Sequence, residues 1–284
     1  MMRLLIDAGN TRIKLALVDG EDWSPIENLP SQPACDLTPR LADCVDSMTT
    51  TLRNAPQVWV SNVAGDEVAQ HIHAACAARH WLPQFIVARA SQCGVHNGYA
   101  NPAQLGSDRW ASLIAAWHQT GGACLVVNCG TATTIDALSA RGEFIGGLIL
   151  PGVELMQHSL IAATAQLHPR GNTKAATDFS VGAGLRPAPT LNQQGGIGEY
   201  ASFPRNTADA LFSGAIQASC GAIQRQYALL DDACPEHSRR DSAPVVLSGG
   251  AAELLRSHLN LPLRMVDNLV LQGLLLIAQE AGTS

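Results

Sequence analysis

The sequence of 284 residues predicts an α/β protein built from two related halves. Near the start, a short apolar segment at 4–6 runs into the polar turn 7–11 and then into alternating apolar residues, which is typical of a two-stranded hairpin. The same pattern recurs in the second half, where the apolar segment 125–127 precedes the polar turn 128–131. Two such hairpins, more than a hundred residues apart, indicate a tandem duplication of a domain.

Each half also contains a later strand that leads into a helix. The segment Val58-Trp59-Val60 precedes a predicted helix over 66–80, and Val245-Val246-Leu247 precedes the helix-like segment 251–259. A strand followed by a helix favours parallel pairing with an earlier strand. We therefore expect each half to be a mixed sheet with helices.

The domain boundary is placed after residue 120, where a predicted helix ends in two glycines. This gives an N-terminal domain over 1–120 and a C-terminal domain over 121–284. Within the second, the segment 168–198 is rich in Gly, Pro, Asn, Thr and Gln without periodicity, and predicts an irregular insertion. The segment 268–281 is strongly apolar with polar ends and predicts a final helix.

The composition argues against several classes of function. Only 15% of the residues are charged and the net charge is -6, so we expect no nucleic-acid partner. The most apolar stretches are about half the length that a membrane span requires, so we expect no membrane partner. The first residues lack the apolar stretch of a signal peptide, which predicts a cytoplasmic protein. The eight cysteines form no Cys-x-x-Cys pair, which favours reduced thiols over a zinc site.

The two hairpin tips have the chemistry of a polyphosphate site. Small residues such as Gly9 and Gly130 let backbone N–H groups approach phosphate oxygens closely, and we expect both tips to grip one polyphosphate across a cleft. Lys14 offers a positive charge, and Asp7 offers a carboxylate for magnesium. The threonines at 11, 131 and 133 add hydroxyl donors. Turns of these residue types also form for local reasons, so a purely structural role stays open. Neither a P-loop nor a protein-kinase motif set is present.

A predicted helix beginning at Ser107 carries the candidate catalytic acid. Its apolar residues follow the spacing of an amphipathic helix, with Ser107 as the expected N-cap. Asp108 lies in the first turn, where the helix dipole favours its anion and leaves it able to accept a proton. Arg109 beside it has the forked donors that suit a carboxylate substrate. An acid that only stabilises the helix start, and an arginine in a surface ion pair, remain the alternatives.

In its motifs the chain resembles the type III pantothenate kinases over nearly its whole length. Three segments carry the resemblance: 7–14 looks like the family's first phosphate motif, 106–109 like its substrate and catalytic motif, and 130–134 with Asp136 like its second phosphate motif. The resemblance implies two duplicated actin-like (ribonuclease H-like) domains with a nucleotide cleft between them, and a homodimer. It also implies ATP-dependent phosphorylation of pantothenate, the first step of coenzyme A biosynthesis, with Asp108 as proton acceptor.

The resemblance further implies which residues contact each substrate. The implied ATP contacts are Asp7, Ala8, Gly9, Asn10, Thr11, Arg12, Ile13, Lys14, Thr131 and Thr133. The implied pantothenate contacts are Tyr99, Gly106, Ser107, Asp108, Arg109 and Thr207, with Arg109 meeting the carboxylate. Thr207 is preferred to Thr173 because the residues after it continue the family pattern, whereas Thr173 lies in the irregular insertion.

The chain departs from the family pattern at two places. Asn128 stands where the family usually carries an aspartate that binds a monovalent cation, K+ or NH4+, and a neutral amide holds a cation less strongly. The second departure is the long segment 168–198. Two other functions remain open beside ATP- and Mg2+-dependent pantothenate phosphorylation. One is a non-catalytic transcription accessory protein on the same fold, and the other is a kinase of another small hydroxy acid.

Overall fold

A computed structural model describes residues 1–31, 37–49, 55–163, 198–234 and 243–282. Groups of strands are separated by helices along the chain, and the strands form two sheets. By contact the chain divides into two compact units. Unit 1 comprises 1–124, 138–146 and 268–284, and unit 2 comprises 125–137 and 147–267. The α/β class predicted from the sequence is confirmed.

The central sheet of unit 1 has the order β3-β2-β1-β5-β6, with β4 also paired to β2. β1 and β2 pair antiparallel, as the predicted hairpin requires, and β1 pairs parallel with β5. The strands are β1 (Met2–Ala8), β2 (Arg12–Asp19), β3 (Asp22–Trp23), β4 (Glu27–Pro30), β5 (Gln57–Asn62) and β6 (Pro83–Phe85). Two short strands of unit 1, β7 (Ser91–Gln92) and β8 (Val95–Asn97), pair antiparallel at the end of the second sheet, where β8 also pairs parallel with residues 143–144.

Four helices belong to unit 1: α1 (Leu37–Thr49), α2 (Asp66–Ala77), α3 (Ser107–Thr120) and α7 (Leu269–Ala281). Their apolar faces cover the buried strands β1 and β5, whose side chains form the centre of the core. α3 ends as predicted, with Gly121 in the left-handed conformation. α7 packs against α3 and β1, so the last helix belongs to unit 1, whereas the sequence-based division had placed it in the second half.

Unit 2 contains the second predicted hairpin and the long helix of the chain. Its strands follow the order β13-β12-β9-β10-β11, and β12 pairs parallel with both β9 and β13. The strands are β9 (Cys124–Cys129), β10 (Ala132–Leu138), β11 (Glu143–Pro151), β12 (Val245–Ser248) and β13 (Leu263–Met265). The helices are α4 (Val153–Ala163), α5 (Thr207–Ala233) and α6 (Ala252–Arg256). β9 and β11 each begin in unit 1 and end in unit 2.

One sequence-based prediction, the N-cap of α3, is wrong, and another, the insertion, lies almost wholly outside the described residues. Ser107 was the expected N-cap of its helix, but it is the first helical residue, and the N-cap is Gly106 without a side-chain cap. The predicted insertion 168–198 lies outside the described residues, apart from Gly198. Among the helices that the structure describes, none combines the length and apolar character needed to cross a membrane.

Candidate active site

The tip of the first hairpin is held by backbone hydrogen bonds. Gly9 N–H donates to the carbonyl of Arg12 at 3.0 Å and closes the turn. Ser31, the residue after β4, holds the tip in place, since its N–H donates to the Thr11 carbonyl at 3.0 Å and its hydroxyl donates to the Gly9 carbonyl. The tip backbone is therefore ordered before any ligand binds.

The residues predicted to contact ATP in this hairpin differ in whether their side chains or only their backbone groups can reach a ligand. The side chains of Ala8 and Ile13 are fully buried in the core, so they can contribute only backbone groups. Asn10 and Arg12 are exposed at the tip, and Gly9 presents its backbone. The predicted phosphate-binding segment is thus a backbone turn with two exposed polar side chains.

Asp7 and Lys14 lie opposite each other at the base of this tip. They are register partners on β1 and β2. The pKa of Asp7 is raised from 3.8 to about 7, mainly by burial and to a smaller extent by the nearby carboxylate of Asp108, while the positive charge of Lys14 acts to lower it. Lys14 donates from Nζ to Oδ1 of Asn268 at 3.0 Å. Asp7 and Asp108 are neighbouring buried carboxylates whose negative charge is not fully balanced by nearby positive side chains. Such a site favours a bound cation.

The first turn of α3 positions Asp108. Its Oδ1 accepts a hydrogen bond from the N–H of Arg109 at 2.7 Å. A Cβ on Gly106 would lie 2.6 Å from the same oxygen, so a side chain at this position would displace the carboxylate from its present orientation. Burial raises the pKa of Asp108, while the Arg109 backbone N–H and charge act to lower it. A carboxylate with a raised pKa is suited to accept a proton near neutral pH.

The hydroxyl of Ser107 is directed towards β5. Ser107 Oγ and Ser61 Oγ are 2.9 Å apart and share a buried hydrogen bond. Ser61 is also the register partner of Asp7 in the β1–β5 pair. Ser107 therefore fixes the start of α3 to the strand beside Asp7, which brings the predicted catalytic and phosphate motifs of unit 1 together.

Arg109 is buried beside a pair of aromatic rings. Its guanidinium donates from Nη1 to the Tyr99 hydroxyl at 3.1 Å. Its Cζ lies 5.8 Å from the Tyr99 ring centroid and 5.7 Å from that of Phe144, both within cation–π range. The two rings are themselves 5.3 Å apart. Arg109 is only 6% exposed, so it is not a surface residue, and the alternative of a surface ion pair does not hold. Its guanidinium is a buried donor group.

The second hairpin tip is also closed by a backbone hydrogen bond from its glycine, over a turn one residue shorter than in the first. Gly130 N–H donates to the Ala132 carbonyl at 3.0 Å, and Gly152 N–H donates to the Thr131 carbonyl at 2.8 Å. A Cβ on Gly152 would lie 2.2 Å from the Gly130 carbonyl oxygen, so this close approach requires glycine. Thr131 is exposed at the tip.

Thr133 and Asn128 lie on the strands that flank this tip. The Thr133 hydroxyl is buried and has no hydrogen-bond partner among the described residues. An unsatisfied buried hydroxyl is costly, and a ligand oxygen or a cation would satisfy it. Asn128 is half-buried and is the register partner of Ser248 on β12. Across the described ranges, no cluster of three or more His, Cys, Asp or Glu residues could hold a metal.

Thr207 occupies a different environment from the other predicted pantothenate contacts. It is the first residue of α5 and belongs to unit 2, whereas Tyr99 and the segment 106–109 belong to unit 1. It borders an apolar groove of about 420 Å³ between α4 and α5. The groove is lined by Met156, Ser159, Leu160, Thr207, Ala210, Leu211, Gly214, Ala215 and Ala218.

Sequence reasoning missed three residues that contact the predicted site residues: Ser61, Phe144 and Asn268. Ser61 and Phe144 each lie within an ordinary strand pattern. Asn268 precedes an apolar segment, and the sequence predicts only that it caps the final helix. No local pattern marks these three residues, because each acts on a partner that is distant in sequence.

The fold and the site together define a protein of the actin-like α/β class. Two solved structures support the fold at low identity. A protein described as a Baf-family transcriptional activator from Campylobacter jejuni is 19% identical, with a TM-score of 0.53, and the match covers 99% of this chain and 100% of that one. A protein described as a 2-dehydro-3-deoxygalactonokinase from Sinorhizobium meliloti is 14% identical, with a TM-score of 0.52 and 98% of each chain covered.

Sequence similarity then narrows the class to one family. The family model for type III pantothenate kinase matches residues 3–229. A type III pantothenate kinase of Nitrosospira multiformis is 41% identical, over 98% of this chain and 91% of that protein. Another, from Aromatoleum aromaticum, is 42% identical over 98% of both. The chain belongs to the type III pantothenate kinase family, as the motif resemblance predicted.

Proposed function

We propose that this protein phosphorylates the terminal hydroxyl of pantothenate with ATP, the first step of coenzyme A biosynthesis. The observation that carries the proposal is the start of α3, where a carboxylate with a raised pKa adjoins a buried, aromatic-bound arginine. A proton acceptor for a hydroxyl and a donor group for a carboxylate thus lie on consecutive residues. Pantothenate carries both a hydroxyl and a carboxylate.

Asp108 acts as the general base. It takes the proton of the pantothenate hydroxyl as the oxygen forms its bond to the γ-phosphorus of ATP, and the bond from that phosphorus to the ADP oxygen breaks. The products are phosphopantothenate and ADP, and the proton leaves Asp108 to solvent. The hydrogen bond from Arg109 N–H holds one Asp108 oxygen in place, at 2.7 Å. That contact orients the carboxylate.

Both hairpin tips bind phosphate oxygens. Their glycine turns support this role, and Lys14 adds a positive charge at the first tip. Asp7 would hold Mg2+, which neutralises phosphate oxygens when bound, and its raised pKa reflects a carboxylate that lacks full compensation by a cation. The buried Thr133 hydroxyl, which has no hydrogen-bond partner within the described ranges, supports a ligand at the second tip. Asn128 is the candidate for K+ or NH4+, with its amide oxygen as the ligand.

Pantothenate binding involves Tyr99, the segment 106–109 and Thr207. Arg109 meets the carboxylate, since Tyr99 and Phe144 hold its guanidinium in a buried position.

We propose that the protein is a cytoplasmic homodimer, and the exposed apolar side chains of Leu148 and Ile149 on β11 support an interface. Sedimentation of the purified protein with and without Ile149→Lys tests the dimer.

The decisive experiment is an assay of ADP release with and without pantothenate, in sodium, potassium and ammonium buffers containing Mg2+. We expect pantothenate-dependent turnover that falls by about a hundredfold or more in Asp108→Asn, because the general base is lost. Asp66→Asn is the matched control, since Asp66 is an exposed acid in the first turn of α2. We expect that control to retain wild-type turnover.

The alternatives give different results in the same assay. ATP binding without turnover in any buffer would contradict the kinase proposal and favour a regulatory protein. Turnover with another small hydroxy acid, but not with pantothenate, would identify that acid as the substrate. Equal rates in the three buffers would show that Asn128 supports no required cation.

A further inference from the structure

Asn268 precedes α7 but does not cap it. Asparagine is favoured at helix N-caps because its side-chain oxygen accepts a backbone N–H of the first turn. Asn268 makes no such bond, and its backbone is left-handed, with φ 53° and ψ 42°. Its Oδ1 instead accepts a hydrogen bond from Nζ of Lys14, 254 residues away, at 3.0 Å. The side chain therefore serves a contact outside its own helix.

The contact suits a lysine that must stay positively charged and well placed. A lysine side chain has many rotamers, and holding its ammonium in one place requires an ordering contact. A neutral amide oxygen supplies that contact without cancelling the charge, whereas a carboxylate would cancel it. Asn268 thus orders Lys14 and leaves its charge available to a phosphate.

The position of Asn268 is itself fixed by the packing of α7. A Cβ on Gly273 would lie 1.9 Å from the backbone oxygen of Ala111 on α3, so the two helices are in close backbone contact. α3 carries Asp108 in its first turn. The helix that begins after Asn268 is therefore anchored on the helix that carries the catalytic acid.

We propose that Asn268 is a positioning residue that holds the Lys14 ammonium in the orientation that binds ATP phosphate. The inference rests on the proposed function, in which Lys14 contacts the nucleotide. It assigns a role in ATP binding to the start of the C-terminal helix, a segment outside the three phosphate and substrate motifs.

The test compares ATP dissociation constants of full-length variants in Mg2+ buffer by equilibrium titration. Asn268→Gly keeps a residue that favours a left-handed backbone and removes the amide. We expect it to weaken ATP binding by about three- to tenfold, because part of a hydrogen bond to a charged group is lost. His80→Gly is the matched control, since His80 is exposed and has a similar φ of 57°. We expect that control to bind like the wild type.

A double-variant comparison separates positioning from general damage to the fold. If Asn268 acts through Lys14, Asn268→Gly should weaken binding no further in a Lys14→Met background. Additive losses would overturn the inference. Asn268→Asp gives a second variant: it tolerates the left-handed backbone but pairs its charge with Lys14, so it should also weaken ATP binding.

The two proposals can fail separately. Wild-type affinity in Asn268→Gly or Asn268→Asp, together with weakened binding in Lys14→Met, would overturn the positioning role and leave the proposed phosphate contact intact. Wild-type affinity in Lys14→Met would overturn the phosphate contact, and the positioning role with it.

Discussion

Replacing Asp7 with asparagine should stabilise the protein at alkaline pH when no magnesium is present. Burial and the neighbouring Asp108 raise the pKa of Asp7 from its ordinary value of 3.8 to about 7. A carboxyl whose pKa is higher in the folded than in the unfolded state lowers the free energy of unfolding as the pH rises between those two values. Asp7→Asn removes this cost because an amide does not ionise.

The size of the expected stabilisation follows from the shift in the pKa of Asp7. A change of about three pKa units corresponds to about 4 kcal/mol above pH 7, which is an upper limit. Local relaxation and entry of water reduce the cost of a buried charge, so we expect the variant to gain about 2 kcal/mol at pH 8. The gain should shrink as the pH falls towards 5 and vanish near pH 4.

Urea unfolding at a series of pH values from 5 to 8, in a chelating buffer, measures this gain. Tryptophan fluorescence is the appropriate probe, since all five tryptophans lie in unit 1 with Asp7. Asp22→Asn, an exposed acid on β3 of the same sheet, is the matched control and should show no pH-dependent gain. A gain for Asp7→Asn that is the same at every pH, or no gain at pH 8, would refute the reasoning.

Two further predictions concern packing around the site. Gly273→Ala should destabilise unit 1 by about 3 kcal/mol because its Cβ would overlap the α3 backbone. Gly221→Ala in α5 is the control, and because its Cβ would meet open space it should stabilise the protein by up to about 1 kcal/mol. Thermal unfolding measures both changes. Phe144→Leu should raise KM for pantothenate roughly tenfold with little change for ATP, because Arg109 loses a ring partner. The same change at Phe203, which is 90% exposed, is the control, and equal effects of both changes would contradict the role of the ring.

Local patterns predicted the parts of this protein whose contacts are close in sequence. Both hairpins, the parallel strand β5 and the helix that carries Asp108 appear where periodicity and turn residues placed them. The error at the helix start had a tertiary cause, a contact across 46 residues. Ser107 has the right chemistry for an N-cap, but its hydroxyl is bonded to Ser61, so Gly106 takes the N-cap position instead.

The motifs by themselves determined the family, the proposed chemistry and most of the candidate site, because those residues lie within short segments. Tertiary structure decided what holds that site in place. Lys14 meets Asn268 across 254 residues, Arg109 lies beside the ring of Phe144, and α7 returns to pack on α3 in unit 1. Periodicity and turn propensity describe only a few neighbouring residues, whereas these contacts depend on strand register and helix packing, which exist only in the folded chain.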